Sequence, residues 1–350
     1  MDAKYQVGVI SAGQQIGGAE VICVDLALWL HARGVKCWLH VGRGGKPQIR
    51  SRLEGLPVRL VSEHELGSVC ERTDTVFLYG TQLIAQSHAA RVNKARRVVA
   101  FVGGFGGDYV TRGNLRVDTY LAETSAVPRY MKAHYAVKEP WFVCRVPVLL
   151  QYMDALDVFG YACFQEPFVY GVVDRLIPRK RVGQVIRAFK KLDANALLVI
   201  VGDGGQRSEL KRLADNDARI LFTGLVQDRR LLLCLLKSFD VLVSASQWEC
   251  CGRVKREAMA LRVPQIVTAG YMSGRYGSVW PDGTTELLIH RWSALIRSAD
   301  DFDGLVECMR EMRRDAGLRK RLADQARVDI EHFNAEDSRR LLEFLTRGKA

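Results

Sequence analysis

The chain has 350 residues, of which 48% are hydrophobic and 26% are charged, and its formal net charge is +12 at pH 7. This length allows two domains with separate cores, and the composition is that of an ordinary globular protein. No apolar run reaches the roughly 18 residues that a bilayer-spanning helix needs, and the first residues lack the pattern of a signal peptide. These properties exclude a protein built around transmembrane helices and favour a cytoplasmic location.

The nine cysteines are scattered along the chain, and none forms a Cys-x-x-Cys pair. Cys250 and Cys251 are adjacent, which is a poor arrangement for a disulfide. We therefore expect reduced thiols, as in a cytosolic protein. No cluster of His and Cys has the spacing of a zinc site, so we expect no structural metal.

Basic residues crowd the first half of the chain. If they share one face, that face attracts anionic partners, either lipid headgroups at a membrane surface or nucleic acid. A generally solubilising surface explains the same residues equally well, because scattered charge specifies no partner. The residues concerned are Arg43, Lys46, Arg50, Arg52, Arg59, Arg91, Lys94, Arg96, Arg97, Arg112, Arg116, Arg129, Lys132 and Lys138.

The first predicted elements are a strand at 5–10, a glycine-containing loop and a helix at 19–33 that ends at Gly34. In such a unit the backbone N–H groups and the helix amino terminus attract an anion, and glycine lets the anion approach closely. Gly17 and Gly18 are the candidates for this phosphate contact. Glycines at these positions serve equally well to turn the chain.

Strand and helix signals then alternate as far as residue 135, which is typical of a parallel sheet with helices on both faces. A glycine-rich run at 103–107 predicts a tight turn or a flexible loop that ends at Asp108. Strands are predicted at 37–41, 58–61, 75–78, 98–102 and 119–121, and helices at 49–53, 63–72, 82–92 and 127–135.

A second α/β unit follows a connecting segment at 145–167. The Gly-x-Gly that begins at Gly202 suggests a dinucleotide fingerprint. Arg207 stands where its third glycine would lie, so the signal for a nicotinamide-dependent enzyme is weak. Gly224 follows the next strand. The strands of this unit are predicted at 168–173, 197–201, 220–223, 241–243 and 266–268, and its closing helices at 305–314, 318–333 and 335–345.

Two acidic residues follow the strand at 241–243. Glu249 lies in the turn, and Glu257 lies in the next helix, at the edge of a core-facing stripe formed by Val254, Ala258 and Leu261. Both carboxylates are directed at the crevice where open α/β sheets bind ligands. A pair of solvated surface acids is the ordinary alternative.

Four motifs occur along the chain: Gly-Gly-Ala-Glu at 17–20, Asp-Arg-Leu-Ile-Pro-Arg-Lys-Arg at 174–181, Val-Gly-Asp-Gly at 201–204 and Glu-x7-Glu at 249–257. This set resembles the family 4 retaining glycosyltransferases, or glycosyl transferases group 1. The resemblance implies the α/β fold named GT-B, in which two Rossmann-like doubly wound domains face a cleft. It assigns 1–165 to an acceptor-side domain, 166–333 to a nucleotide-sugar-binding domain, and 334–350 to a helix that packs back on the first domain.

The same resemblance implies roles for individual residues. Arg175 and Lys180 would bind the donor diphosphate, Glu249 the donor sugar, and Glu257 the ribose. Fixed cations stabilise a leaving nucleoside diphosphate, so neither a metal nor a cofactor is expected beside the nucleotide-sugar donor. Without the resemblance, Arg175 and Lys180 would be ordinary surface charges. The glycines expected to approach the donor are Gly17, Gly18, Gly202 and Gly224.

The chain departs from the family pattern within these motifs. Cys250 and Cys251 replace the usual Pro-Phe after the first acidic residue. Asp174, Arg179 and Arg181 replace Gly, Glu and Gly in the basic motif, while Arg175 and Lys180 themselves are retained.

Two further regions differ from the relatives. Glycine stands near 101–108 where relatives carry a histidine that approaches the donor sugar; His88 and His134 are the nearest histidines. Asp108 is a candidate acceptor-site residue. An apparent insertion at 269–285 is either a lid or acceptor wall, or a plain surface loop.

We therefore predict a metal-independent retaining glycosyltransferase that moves a sugar from a nucleotide sugar to a polysaccharide or glycolipid precursor. The basic first half leaves open a transferase that modifies nucleic-acid bases. The cysteine pair and the missing histidine leave open a non-catalytic nucleotide-sugar-binding protein. A sugar-nucleotide epimerase of the same fold is the third alternative. An anionic acceptor or a membrane surface is a further partner that the positive charge favours.

Overall fold

The computed structural model describes residues 5–11, 18–42, 57–80, 84, 86–105, 114–135, 137, 140–156, 167–192, 195–273, 279–281 and 283–347. Contacts divide the chain into two compact units. The first unit comprises Met1–Leu149, Gly274–Ser278 and Phe333–Ala350, and the second comprises Leu150–Ser273 and Val279–His332.

The first unit is an α/β layer structure, as the alternating pattern predicts. Its described strands are β1 Gln6–Ser11, β2 Lys36–Val41, β3 Arg59–Leu60, β4 Thr75–Tyr79, β5 Arg97–Val102, β6 Thr119–Ala122 and β7 Trp141–Val143. Its described helices are α1 Gly18–His31, α2 Leu66–Cys70, α3 Ala89–Val92 and α4 Ala126–Tyr135. The short edge strand β7 is an addition to the elements that the sequence predicted.

Within the described residues these seven strands form one parallel sheet in the order β3-β2-β1-β4-β5-β6-β7. Residues 98–102 of β5 are all buried, and a continuous apolar run of this kind is expected where helices cover both faces of a sheet. The Trp38 ring fills the space above Gly8, where an added Cβ would lie 2.2 Å from Cζ2 of the ring. The indole N–H of Trp38 donates to the Thr73 hydroxyl at 3.0 Å.

The second unit is also an α/β structure. Its described strands are β8 Phe168–Val173, β9 Ala196–Val201, β10 Ile220–Gly224, β11 Val241–Ser244, β12 Gln265–Ala269, β13 Tyr271–Ser273, β14 Val279–Pro281 and β15 Leu295–Ser298. Its described helices are α5 Leu150–Asp154, α6 Val182–Lys190, α7 Arg207–Ala214, α8 Arg229–Lys237, α9 Arg253–Ala260 and α10 Phe302–Arg314, with 3₁₀ turns at Pro178–Lys180 and Gly283–Glu286.

The main sheet of this unit is parallel, with the described strands in the order β10-β9-β8-β11-β12-β15. Strand β9, which follows β8 in the chain, lies on one side of β8, whereas β11 lies on its other side. Loops that follow two such strands diverge and leave a crevice at the carboxyl edge of the sheet. The β8–β11 junction is therefore the place where this fold positions a ligand.

The last helix, α11, runs without a break over Ala316–Arg347. The two separate helices predicted at 318–333 and 335–345 are wrong in this respect. Asn334 is the residue between the two predicted helices, and its side chain makes two hydrogen bonds to the backbone of Val148, at 2.8 and 3.1 Å. The side-chain amide is therefore held by another segment and does not cap a helix end.

The apparent insertion at 269–285 contains regular structure. Its described residues form an antiparallel hairpin of β13 and β14, in which Met272 pairs with Trp280, followed by the second 3₁₀ turn. Gly270 joins the hairpin to β12, and a Cβ there would lie 1.8 Å from the carbonyl oxygen of Gln247. The hairpin therefore starts in close contact with the loop after β11. Residues 274–278 and 282 of this segment lie outside the described residues.

Candidate functional site

Two loops meet at the β8–β11 junction. The backbone N–H of Gln247 donates to the carbonyl of Arg179 at 2.8 Å, and Nη1 of Arg179 donates to the carbonyl of Trp248 at 2.9 Å. The guanidinium of Arg179 also lies 4.3 Å from the centre of the Trp248 ring, within range of a cation–π contact. Arg179 therefore ties the loop after β8 to the loop after β11.

Lys180 lies between two carboxylates at this junction. Its Nζ is 2.6 Å from Oδ1 of Asp174 and also contacts Oε1 of Glu249. The same Glu249 oxygen accepts a hydrogen bond from the Ser246 hydroxyl at 3.0 Å and lies 3.5 Å from Nη1 of Arg179. The fold thus brings together Lys180 and Glu249, which are 69 positions apart in the sequence.

The charges in this cluster set the protonation of its members. Burial acts to raise the pKa of Glu249, but the positive charges of Lys180, Lys255 and Arg179 outweigh burial and lower the pKa to about 2. Burial raises the pKa of Asp174, and nearby Glu249 adds to this rise while Lys180 opposes it. Glu249 is therefore an ionised carboxylate at neutral pH, able to accept hydrogen bonds but not to donate one.

Glu257 is almost fully buried in α9 and is held by two arginines. Its Oε1 accepts hydrogen bonds from Nη2 of Arg229 at 2.5 Å and from Nε of Arg253 at 2.8 Å. Arg229 is the first residue of α8, and the side chain of Asp228 caps that helix. Burial acts to raise the pKa of Glu257, but the two guanidinium groups outweigh it, and the pKa is lowered.

Helix α9 differs from its predicted amphipathic pattern. The core-facing stripe is correct at Ala258 and Leu261, which are buried, but wrong at Val254, which is only half-buried. Buried cations are tolerated where carboxylates compensate them, and Glu249 and Glu257 supply such charges here. Sequence reasoning did not predict that basic residues of α9 are buried. The run of basic residues in a short helix after a buried strand could have indicated it. The buried basic residues of α9 are Arg253, Lys255 and Arg256.

Gly202 and Gly224 bring the ends of three strands together. Gly202 has φ of +137°, and an added Cβ would lie 1.9 Å from the carbonyl oxygen of Asp174. Its N–H donates to the carbonyl of Gly224 at 2.9 Å, and Gly224 itself has φ of +75°. Glycine is therefore required at 202 for the close approach of the β8 and β9 ends.

The second half of the chain matches a known family. Residues 157–328 match the family model described as "Glycosyl transferases group 1". These residues belong to the glycosyl transferases group 1 family. The group 1 region contains Arg175, Lys180, Glu249 and Glu257, and so includes both the Lys180–Glu249 contact and the arginine-bound Glu257.

Two curated relatives resemble the chain over part of its length. It is 31% identical over 163 residues to N-acetyl-alpha-D-glucosaminyl L-malate synthase of Bacillus anthracis, in an alignment covering 45% of this chain and 39% of that protein. It is 29% identical over 161 residues to the lipopolysaccharide core biosynthesis glycosyltransferase LpsD of Rhizobium meliloti (strain 1021), covering 45% and 43%. The chain therefore spans less than half the length of the curated relatives it matches.

The whole chain has the GT-B fold. It superposes on the crystal structure of Anabaena Alr3699/HepE in complex with UDP and glucose with a TM-score of 0.76, covering 97% of this chain and 100% of that chain at 17% identity. The predicted GT-B class, with two parallel Rossmann-like sheets flanked by helices, is thus confirmed.

The remaining residues that the sequence predicted for the site lie in several different parts of the chain. Arg175 lies in the loop after β8 with an exposed side chain that makes no hydrogen bond or ion pair within the described part of the chain. Gly18 begins α1, while Gly17 and Asp108 lie outside the described residues. The His88 ring lies 5.8 Å from that of His40, and burial lowers the pKa of His88. His134 stacks on Tyr130 at 3.9 Å.

No group of three or more His, Cys, Asp or Glu side chains in the described ranges is arranged to hold a metal ion. No helix in the described part of the chain is both long and apolar enough to cross a bilayer.

Proposed function

We propose that this group 1 protein transfers a sugar from a nucleoside-diphosphate donor to an acceptor, with retention of the anomeric configuration and without a metal ion. The observation that carries the proposal is the contact of Lys180 with Glu249 at the β8–β11 crevice, while Arg175 is exposed in the loop after β8. This is the position at which an open α/β sheet binds its ligand.

The charges at the junction suit a diphosphate leaving group. Bond cleavage to the sugar leaves extra negative charge on the nucleoside diphosphate, and cations already in place stabilise that charge without reorganisation. Lys180 is fixed by its neighbours, whereas Arg175 has no partner to leave among the described residues and offers a planar fork of donors to phosphate. These two cations take the part that a metal ion plays in other transferases.

The two glutamates are assigned to binding and not to proton transfer. The low pKa of Glu249 keeps it ionised, so it accepts hydrogen bonds from sugar hydroxyls. The carboxylate of Glu257 is oriented by Arg229 and Arg253, which suits it to hold ribose hydroxyls in one geometry. Four glycines are proposed to let the donor approach the backbone closely, namely Gly17, Gly18, Gly202 and Gly224.

The similar proteins suggest which substrates to test first. Anabaena HepE was crystallised with UDP and glucose, so UDP and UDP-sugars head the donor panel. One relative bears the name of a lipopolysaccharide core glycosyltransferase, and this supports a glycolipid or polysaccharide precursor as acceptor. We place the reaction in the cytoplasm, with peripheral contact to a membrane where such an acceptor is lipid-linked.

The test is thermal unfolding with a panel of nucleoside diphosphates and nucleotide sugars, followed by product analysis with candidate acceptors. One nucleotide should raise the melting temperature, because a ligand that binds only the folded state stabilises it. Arg175→Ala should weaken that nucleotide by about tenfold or more, as expected for a lost charge-assisted contact of roughly 1.5–3 kcal/mol. Arg187→Ala, at an exposed position on α6, is the matched control.

Three results would contradict the proposal. If no nucleotide shifts the melting temperature and no nucleotide sugar is consumed with any acceptor, the protein is not a transferase. Turnover of a nucleotide sugar without an acceptor would identify an epimerase instead. Transfer to duplex DNA, with salt-sensitive binding, would identify a nucleic-acid-modifying enzyme.

A further inference from the structure

The side chain of Asp174 occupies a place in the donor crevice that the proposed function does not use. It lies at the carboxyl end of β8, and its Oδ1 contacts Nζ of Lys180 at 2.6 Å. Both side chains are mostly buried, with exposed fractions of 15% for Asp174 and 11% for Lys180. The cation assigned to the donor diphosphate is thus already bound by an anion of the chain itself.

The two carboxylates that share Lys180 are not equally supported. Glu249 also accepts a hydrogen bond from Ser246 and lies 3.5 Å from Arg179. Within the described part of the chain, the Asp174 carboxylate has, besides Lys180, only a 3.2 Å contact from the backbone N–H of Arg175. Since two carboxylates on one ammonium repel each other, Asp174 is the acid that yields when a further anion arrives.

We infer that Asp174 competes with the donor diphosphate for Lys180, so that donor binding is accompanied by uptake of a proton at Asp174. The inference deepens the proposed function and rests on it for the identity of the anion. A diphosphate beside Lys180 brings at least two negative charges close to the Asp174 carboxylate. Protonation removes one charge from this crowded site and frees Lys180 for the phosphate.

The charged groups that face Asp174 favour uptake of a proton when the donor binds. They are Lys180 and Arg179 in the 3₁₀ turn and Glu249 in the loop after β11. Burial and Glu249 together keep the pKa of Asp174 above its ordinary value in the empty site, despite the opposing cations. A bound diphosphate adds negative charge and raises the pKa further, which is the thermodynamic condition for proton uptake on binding.

The experiment compares wild type with Asp174→Asn, which keeps the shape of the side chain but cannot ionise. UDP is titrated into each protein by calorimetry from pH 5.5 to 8.5, in buffers of different ionisation enthalpy. The ionisation of UDP itself cancels in the ratio of the two dissociation constants. Asp300→Asn is the matched control, because Asp300 pairs with the adjacent Arg181 at 2.9 Å but is exposed.

We expect the variant to bind UDP more tightly than wild type at high pH. The ratio of dissociation constants should approach one as the pH falls, with a slope of at most about tenfold per pH unit. The wild type should also take up more protons on binding than Asp174→Asn does. A structural role alone would not change the number of protons taken up. Asp174→Ser is the second variant, should the carboxamide impair folding.

The other outcomes overturn the inference or separate it from the proposed function. A ratio that is constant with pH and equal proton uptake by both proteins overturn it, as does the same change in Asp300→Asn. If UDP binds neither protein, the proposed UDP donor fails, and inorganic pyrophosphate is titrated in its place. Tighter, pH-dependent pyrophosphate binding by Asp174→Asn would then uphold the competition, and no binding by either protein would overturn it.

Discussion

Removing the charge of Glu257 should strongly destabilise the second unit, and Glu257→Gln is the variant that shows it. Arg229 and Arg253 both donate to one oxygen of this carboxylate, at 2.5 and 2.8 Å. The side chain of Glu257 is 2% exposed, and those of Arg229 and Arg253 are 20% and 5% exposed. Neutralising the acid therefore leaves two guanidinium groups without their main counter-charge in a site that water barely reaches.

Loss of one partner from a buried ion pair costs about 3–5 kcal/mol, and the partial exposure of Arg229 places the expected value near the lower end. For a domain of this size, 1 kcal/mol lowers the melting temperature by about 2–4 °C, so the expected fall is about 6–12 °C. Calorimetric unfolding of the unliganded protein measures it. The double variant Arg253→Met/Glu257→Gln should recover part of the loss, because removing both charges costs less than removing one.

The dependence of this loss on pH follows from the lowered pKa of Glu257. A group whose pKa is lower in the folded state stabilises the fold above its ordinary value of 4.5 and loses that contribution as the pH falls through the folded value. The difference between wild type and Glu257→Gln should therefore be largest at neutral pH and shrink in acid.

The control for this prediction is Glu311→Gln. Glu311 pairs with Arg291 at 2.6 Å, but the arginine side chain is 52% exposed, and such surface pairs contribute about 0–1 kcal/mol. A Glu257→Gln protein that melts within about 2 °C of wild type, or no lower than Glu311→Gln, would refute the reasoning.

Three further predictions concern other contacts. Gly202→Ala should destabilise the protein by more than about 2 kcal/mol, because the new Cβ would meet the Asp174 carbonyl at 1.9 Å, whereas Gly205→Ala, with open space, should melt as wild type does. Asn334→Ala should cost about 1–3 kcal/mol in urea unfolding through its two bonds to Val148, without loss of helical circular dichroism. Arg179→Lys should lower kcat/KM for the donor by about tenfold, because it loosens the loop that carries Glu249. An unchanged melting temperature beside this loss would show that Arg179 positions the loop, and an unchanged kcat/KM would contradict that role.

Local sequence patterns were sufficient for most of the fold. The apolar runs that form β5 and β9 are buried on both faces, and such runs identify strands of a covered parallel sheet regardless of their partners. Glycine positions were equally readable: Gly34 and Gly224 take positive φ angles that other residues rarely adopt. The motifs at 174–181 and 249–257 also located the crevice, because loops after parallel strands meet at one edge.

Other features depended on contacts between distant segments. The two helices predicted around Asn334 are one helix, and the Asn334 side chain binds the backbone of Val148, 186 positions away in the sequence. The predicted burial of Val254 was wrong, because ion pairing to Glu257 lets Arg253 take the interior position. Helical periodicity assigns cations to the surface, and it has no means of recognising a counter-charge elsewhere in the chain.

The sequence by itself determined the two α/β units, the family of residues 157–328 and the segments that form the crevice, because these depend on short-range patterns of apolar and glycine residues. Only the tertiary structure decided that Lys180 lies between Asp174 and Glu249, and that Glu257 is bound by two arginines. The strength and even the sign of an electrostatic effect depend on burial and on the distance between charges. Those two quantities are set by the packing of strands and loops that lie far apart in the chain.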